Sequence, residues 1–238
     1  MNVRPAAPAD TAAQLLRVLE EKGPGPVLAW YGEAARIELS GHVLANWVIK
    51  TIGHLHDEIA LAPGELVVLD LPPHWKRLVL ALAAWSLGAE VVVLERDETT
   101  QPPAEDAVPE EPRVVATDRP ASPLAQSADE VLALQAVSLA PRYDGELPPL
   151  AHDWLGEVRG SSDRLGVALP GWSGPAAAPE PEGSPSHGER MLVEEDGLRS
   201  AAPLLALLLA GGGLVGPAAA VTERQAQEEA VTGRLPRS

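Results

Sequence analysis

Two short apolar runs set the strongest limit on what this chain can fold into. Leu66 to Leu71 is apolar except for Asp70, and Val91 to Leu94 is apolar throughout and mostly β-branched. A strand apolar at successive positions is covered on both faces, as in buried parallel sheets. Between the two runs, Pro72-Pro73 breaks the first strand, a helical stretch follows from about His74 to Leu87, and Gly88 closes it. Strand, helix and strand within about 30 residues form a βαβ unit, whose crossover is right-handed almost without exception. The expected fold class is therefore α/β, a mostly parallel sheet with flanking helices.

The flanking sequence extends this pattern. Leu15, Leu16, Val18 and Leu19 form one helical stripe in Thr11 to Lys22, with Asp10 or Thr11 as cap and Gly23-Pro24 as stop. Val27 to Tyr31 and Arg36 to Leu39 read as a hairpin around Gly32-Glu33. Ser40 is a good N-cap for a long helix over about 41 to 60. Further on, the pattern predicts a strand at Arg113 to Ala116, a helix at Ala128 to Leu134, a strand at Gln135 to Leu139 and a helix at Trp154 to Arg159. It also predicts a strand at Leu165 to Leu169, a helix at Leu198 to Ala210 and a strand-like Leu214 to Val221. The tail from Thr222 to Arg234 is weakly helical. Two units are expected, an α/β domain over 1–160 and a partial second one over 161–238.

Composition excludes several classes. With no Cys there is no disulfide, thiolate metal site or cysteine nucleophile. Eighteen Lys and Arg against 34 Asp and Glu give a net charge of −16, which argues against a sequence-independent grip on nucleic acid and against an anionic membrane surface. Sixteen of the 34 acids lie in two mostly loop-like, Pro-rich stretches, Glu95 to Glu130 and Glu180 to Asp196, and the segments around 97–112 and 176–188 read as solvated loops. Met1 to Asp10 lacks the apolar core of a signal peptide. Ala201 to Val221 carries no charge, but Pro203, Gly211, Gly212, Gly213 and Pro217 interrupt it, so it reads as a buried helix, a turn and a strand. A cytoplasmic location is expected.

Candidate chemistry is sparse. His54 and Glu58 are four apart on one helix and could share a face, but two ligands make an incomplete metal site, and a solvated polar face is the simpler expectation. His42, His56, His74, His152 and His187 form no motif with ligand spacing. Gly171-Trp172-Ser173-Gly174-Pro175 departs from the G-x-S-x-G hydrolase elbow at its last position. The same residues could aim backbone N–H groups at a phosphate, with Gly171, Ser173 and Gly174 as the candidate contacts. A plain surface loop is the competing expectation, because no Lys or Arg occurs from Val167 to Glu189.

Four segments carry a family resemblance in order. LSGHVLANWVIK at 39–50, LAPGELVVLDLPP at 61–73, LALAAWSLGAEVVVL at 80–94 and LLALLLAGGGLV at 204–215 resemble consecutive stretches of the AMP-binding, adenylate-forming superfamily that contains the acyl-CoA synthetases. The resemblance covers the amino-terminal part of those enzymes only and is similar to that of short actinobacterial proteins of this type. It implies their amino-terminal fold. It also places a Ser/Thr/Gly-rich phosphate loop ending in Pro-Lys just after residues 165–169, where this chain has Pro170-Gly171-Trp172-Ser173-Gly174-Pro175. The family's later Tyr-Gly-x-Thr-Glu element, ribose-binding Asp and catalytic Lys would fall beyond Ser238. The expectation is a degenerate, non-catalytic relative acting as a ligand-binding or protein-interaction module, with no required cofactor and ATP, AMP or CoA as candidate ligands. Two alternatives stand beside it. One is a partial ATP-dependent acid–thiol ligase completed by a partner polypeptide. The other is a structural protein covered by homodimerisation.

Overall fold

The computed structural model describes residues 10–32, 36–95, 111–137, 139–177 and 188–236. The turn at Glu33, His187, and most of the two expected acidic loops lie outside the described residues. In chain order the elements begin with α1 (Thr11–Glu21), β1 (Pro26–Trp30), β2 (Ile37–Ser40), α2 (Gly41–Asp57), β3 (Leu66–Asp70), α3 (Trp75–Ser86) and β4 (Glu90–Val93). They continue with β5 (Val114–Thr117), α4 (Pro123–Gln126), β6 (Glu130–Ala133), β7 (Ala151–Asp153), α5 (Trp154–Val158) and β8 (Arg190–Leu192). After a 3-10 turn at Leu198–Ser200 come α6 (Ala201–Leu209), β9 (Gly213–Gly216), a second 3-10 turn at Ala218–Ala220, α7 (Glu223–Glu228) and β10 (Gly233–Arg234).

The strands form two five-stranded sheets, β10-β8-β9-β1-β2 and β4-β3-β5-β6-β7. Among the described residues, every pairing is parallel except the β1–β2 hairpin. The second sheet lies within residues 66–153, whereas the first joins strands from 26–40 to strands from 190–234. The α/β class and the central βαβ unit hold as the sequence predicts.

Local chemistry places the helices. The Ser40 hydroxyl accepts from the Val43 N–H at 3.2 Å and caps α2. A Cβ at Gly41 would stand 2.1 Å from the Leu19 carbonyl oxygen, so the close approach of α1 and α2 requires glycine there. At the end of α3, Gly88 takes φ 76°, and the Ala89 N–H reaches back to the Ala84 carbonyl at 3.0 Å, a Schellman ending. All twelve residues of α3 are buried, as for a helix covered on every side. One large core takes side chains from both sheets, including Leu28 and Leu214 on one and Val67, Leu69 and Val114 on the other. Trp47 joins it to the far edge, 5.5 Å from Trp75 and 6.1 Å from Trp154 between ring centres.

The polar residues inside α3 are satisfied individually. Ser86 Oγ donates to the Leu82 carbonyl at 2.7 Å, and Lys76 Nζ donates to the carbonyls of Gln135 (3.2 Å) and Val137 (2.6 Å). Arg77 meets Asp196 in a two-pronged pair, Nε to Oδ2 at 2.5 Å and Nη2 to Oδ1 at 3.0 Å, and its Nη1 donates to the Leu71 carbonyl at 3.1 Å. Both side chains are essentially sealed from solvent.

Several expectations need correction. Ala128 to Leu134 is not a helix; its centre is β6, paired with β5, and the short α4, capped by Ser122, precedes it. Among the described residues of 135–139 no strand forms, the carbonyls of Gln135 and Val137 serving Lys76 instead, and none forms at 165–169, where Val167 and Leu169 pack on the core without a ladder. β7, β8 and β10 have three, three and two residues, too few to leave an alternating signature. Among the described residues, no helix is long and apolar enough to cross a membrane.

The carboxyl-terminal segment is fastened by Glu229, whose side chain is 4% exposed. It accepts from Tyr31 Oη at 2.7 Å and Arg36 Nε at 2.5 Å, and pairs with Arg190 at 2.7 Å. Burial raises its pKa, but the hydrogen bonds from Arg36 and Tyr31 outweigh this and hold the carboxyl at about 2 against an ordinary 4.5. A depressed carboxyl stabilises the fold fully above the unfolded value, and the contribution is lost as pH falls through 4.5 toward 2. Glu229→Gln is expected to flatten that acid limb of the stability–pH curve in urea titrations, with a loss of about 2–3 kcal/mol at neutral pH. Asp196→Ala, which strands the buried Arg77, is expected to cost about 3–5 kcal/mol in the same assay, and adding Arg77→Met should recover part of it.

Candidate functional site

The order β4-β3-β5-β6-β7 contains a reversal. The chain leaves β3 through α3 to reach β4 on one side, then returns to lay β5 on the other. Open α/β sheets hold ligands at the carboxyl ends of the strands flanking such a point. Here the last residues of β3 and β5, Asp70 and Thr117, are register partners. Thr117 Oγ1 donates to Asp70 Oδ2 at 3.0 Å, and Arg119 Nη2 reaches Asp70 Oδ1 and Oδ2 at 3.1 and 3.2 Å. The Arg119 N–H donates to Thr117 Oγ1 at 3.0 Å, which fixes the turn that presents the guanidinium. Asp70 and Thr117 are buried, while the Arg119 side chain is 49% exposed. The switch point thus carries a buried carboxylate covered by an accessible cation. Beyond the carboxyl end of β6 the chain exposes Val137 and Leu139.

The amino terminus of α3 opens toward the same side and would ordinarily attract an anion. In this fold a side chain takes that place. The Asp196 carboxylate accepts from the His74 N–H at 3.2 Å while paired with Arg77, and His74 Nδ1 accepts from the Lys76 N–H at 3.2 Å.

Gly171, Ser173 and Gly174 lie at the opposite end of α3, about 18 Å away for a helix of this length. The Ser173 N–H donates to the Trp85 carbonyl at 3.2 Å, and its hydroxyl donates to the Ala89 carbonyl at 2.6 Å. Trp172 packs 5.7 Å from Trp85 and gives its indole N–H to the Pro175 carbonyl at 3.0 Å. A Cβ at Gly174 would stand 2.7 Å from both tryptophan rings. The segment is bound to the carboxyl-terminal turn of α3, whose carbonyls carry partial negative charge.

The histidines also differ from expectation. His54 does not lie on a solvated face with Glu58; it is buried, 1% exposed, against Glu157 and His152. Burial raises the Glu157 pKa, but hydrogen bonds to His54 and His152 prevail and hold its carboxyl below the usual range. His56 stays exposed and pairs with Asp57. Sequence reasoning passed over Asp70, Thr117 and Arg119; a charge in the last position of an otherwise apolar strand is the signal for Asp70, and none marks the other two.

No family model matches the chain. A Mycobacterium tuberculosis "TIGR03089 family protein" is 39% identical over 71 residues, 29% of this chain and 29% of that protein. Among solved structures, the acetoacetyl-CoA synthetase from Streptomyces lividans superposes with TM-score 0.60 at 16% identity, over 86% of this chain and 38% of that one. The Klebsiella oxytoca NpsA N-terminal subdomain, in complex with 3-hydroxybenzoyl-AMSN, gives TM-score 0.61 at 12% identity, over 96% and 59%. The chain thus spans under a third of the curated relative and well under two thirds of either structure. Its fold is that of the amino-terminal part of the AMP-binding, adenylate-forming acyl-CoA synthetases, as the four sequence segments imply.

If residues 170–174 latch α3, Ser173→Ala should lower stability by about 1 kcal/mol in chemical denaturation, the usual worth of such a hydrogen bond.

Proposed function

We propose that this chain is a non-adenylating relative of the acyl-CoA synthetase amino-terminal domain. It works as a binding module whose ligand surface is the crevice at Asp70, Thr117 and Arg119. The observation that carries this reading is the state of Ser173, whose N–H donates to the Trp85 carbonyl in the last turn of α3 and whose hydroxyl donates to the Ala89 carbonyl just beyond it. Adenylation needs donors and cations directed at the phosphates as charge develops there. The segment from 167 to 189 contains no Lys or Arg, and the amino terminus of α3 is taken by Asp196. The similar structures include an acetoacetyl-CoA synthetase and a subdomain holding 3-hydroxybenzoyl-AMSN, so an acyl, CoA or nucleotide group is the ligand class we assign. A protein partner or a second copy would cover Leu139 and Leu150, 73% and 93% exposed. A cytoplasmic location belongs to the same reading.

The test combines two assays. Incubation with ATP and carboxylic acids should release pyrophosphate only at the background rate. A thermal-shift series with ATP, AMP, CoA and acyl-CoA should find at least one ligand that raises the melting temperature by mass action, and Arg119→Ala should diminish that rise. Acid-dependent pyrophosphate release by the isolated chain would overturn the non-adenylating reading. A series with no shift at all would overturn the ligand-binding one. Release that arises only on adding a second polypeptide would favour the split-ligase alternative.

A further inference from the structure

We propose that His54, His152 and Glu157 bind one divalent transition-metal ion of the zinc class. The three side chains come from α2, β7 and α5, so no sequence motif joins them. His54 Nε2 lies 3.0 Å and His152 Nδ1 2.7 Å from the same Glu157 oxygen, Oε2. One ligand atom from each residue falls within 4.8 Å of the others. Around tetrahedral zinc, with bonds of roughly 2.0–2.1 Å, ligand atoms stand about 3.3 Å apart. To reach that spacing the two distances to Glu157 would open by about 0.3 Å for His54 and about 0.6 Å for His152.

Two further observations point to a cation. First, His152 faces a carboxylate at each ring nitrogen, Glu157 at Nδ1 and Glu130 at Nε2, the latter at 3.3 Å. A neutral imidazole can donate to only one of them. With a cation on Nδ1, the Nε2–H serves Glu130, and the group becomes the carboxylate–histidine–metal arrangement in which an outer carboxylate fixes the tautomer. Glu130 is itself held by Arg113 at 3.4 Å. Second, His54 is buried, and its Nδ1 has no hydrogen-bond partner among the described residues. Burial therefore holds its Nε2 in place at the cluster, a ligand nitrogen already positioned.

The donor set selects the ion. Two imidazole nitrogens and one carboxylate oxygen suit zinc and its first-row neighbours, whereas magnesium and calcium prefer all-oxygen shells. Glu157 is 41% exposed on its side chain, which leaves solvent access for the ion and for a fourth, water ligand. The bound ion would tie the last turn of α2 to the β7–α5 edge.

The test uses the whole chain stripped with a chelator and then titrated calorimetrically with Zn²⁺ and, separately, Mg²⁺. One Zn²⁺ per chain should bind and raise the melting temperature, with no response to Mg²⁺. Co²⁺ should give visible absorption bands of low coordination number. His152→Ala and Glu157→Gln should each weaken Zn²⁺ binding at least 100-fold and abolish the cobalt bands. Glu130→Gln should weaken it 10–100-fold, and His56→Ala, on the exposed side of α2, should leave it unchanged. Failure of the wild-type chain to bind Zn²⁺, or binding that survives in His152→Ala and Glu157→Gln variants with native circular dichroism, would overturn the assignment.

Discussion

The bidentate pair between Arg77 and Asp196 is the joint on which the two sheets meet. Arg77 stands in the first turn of α3, directly after β3 of one sheet, and Asp196 stands in the turn after β8 of the other. A guanidinium near a helix amino terminus is misplaced with respect to the helix dipole. Two bonds to one carboxylate and a third to the Leu71 carbonyl offset that placement. Because the pair is sealed from water, its gain over an apolar contact is modest, but losing one partner strands a buried charge. Its main effect is on arrangement: the carboxylate that completes the pair also occupies the end of α3 where an anionic ligand would otherwise be drawn.

From that joint, α3 organises both ends of the molecule. At its amino terminus stand Asp196, His74 and, across the sheet, the Asp70–Thr117–Arg119 crevice. At its carboxyl terminus, the Trp85 and Ala89 carbonyls hold Ser173. A helix buried on all sides cannot shift by small amounts without disturbing a close-packed interior. The segment bound to its end is therefore part of the fold's mechanical frame.

The sequence was most legible where burial was two-sided. Leu66–Leu71, His74–Leu87 and Val91–Leu94 gave the βαβ unit almost to the residue, because continuous β-branched runs and a Gly88 stop have few other solutions. Ser40 marked the start of α2 for the same local reason, an orphan N–H needing an acceptor. Legibility ended where partners are remote. The four residues of β6 carry no clear period, and only pairing with β5 makes them a strand. Arg113, Glu130, His152, Glu157 and His54 form a chain of contacts in space but are scattered along the sequence. The crevice was half legible: Asp70 announces itself as a charge at a strand end, whereas Arg119 gains meaning only once β5 lies beside β3.

The most direct measurement on the central claim is amide hydrogen exchange at Ser173, with and without Mg²⁺-ATP. A latch on α3 predicts slow exchange that ATP leaves unchanged, since the N–H is committed to the Trp85 carbonyl. A phosphate loop predicts fast exchange in the free chain and protection on adding ATP, and that result would contradict the account.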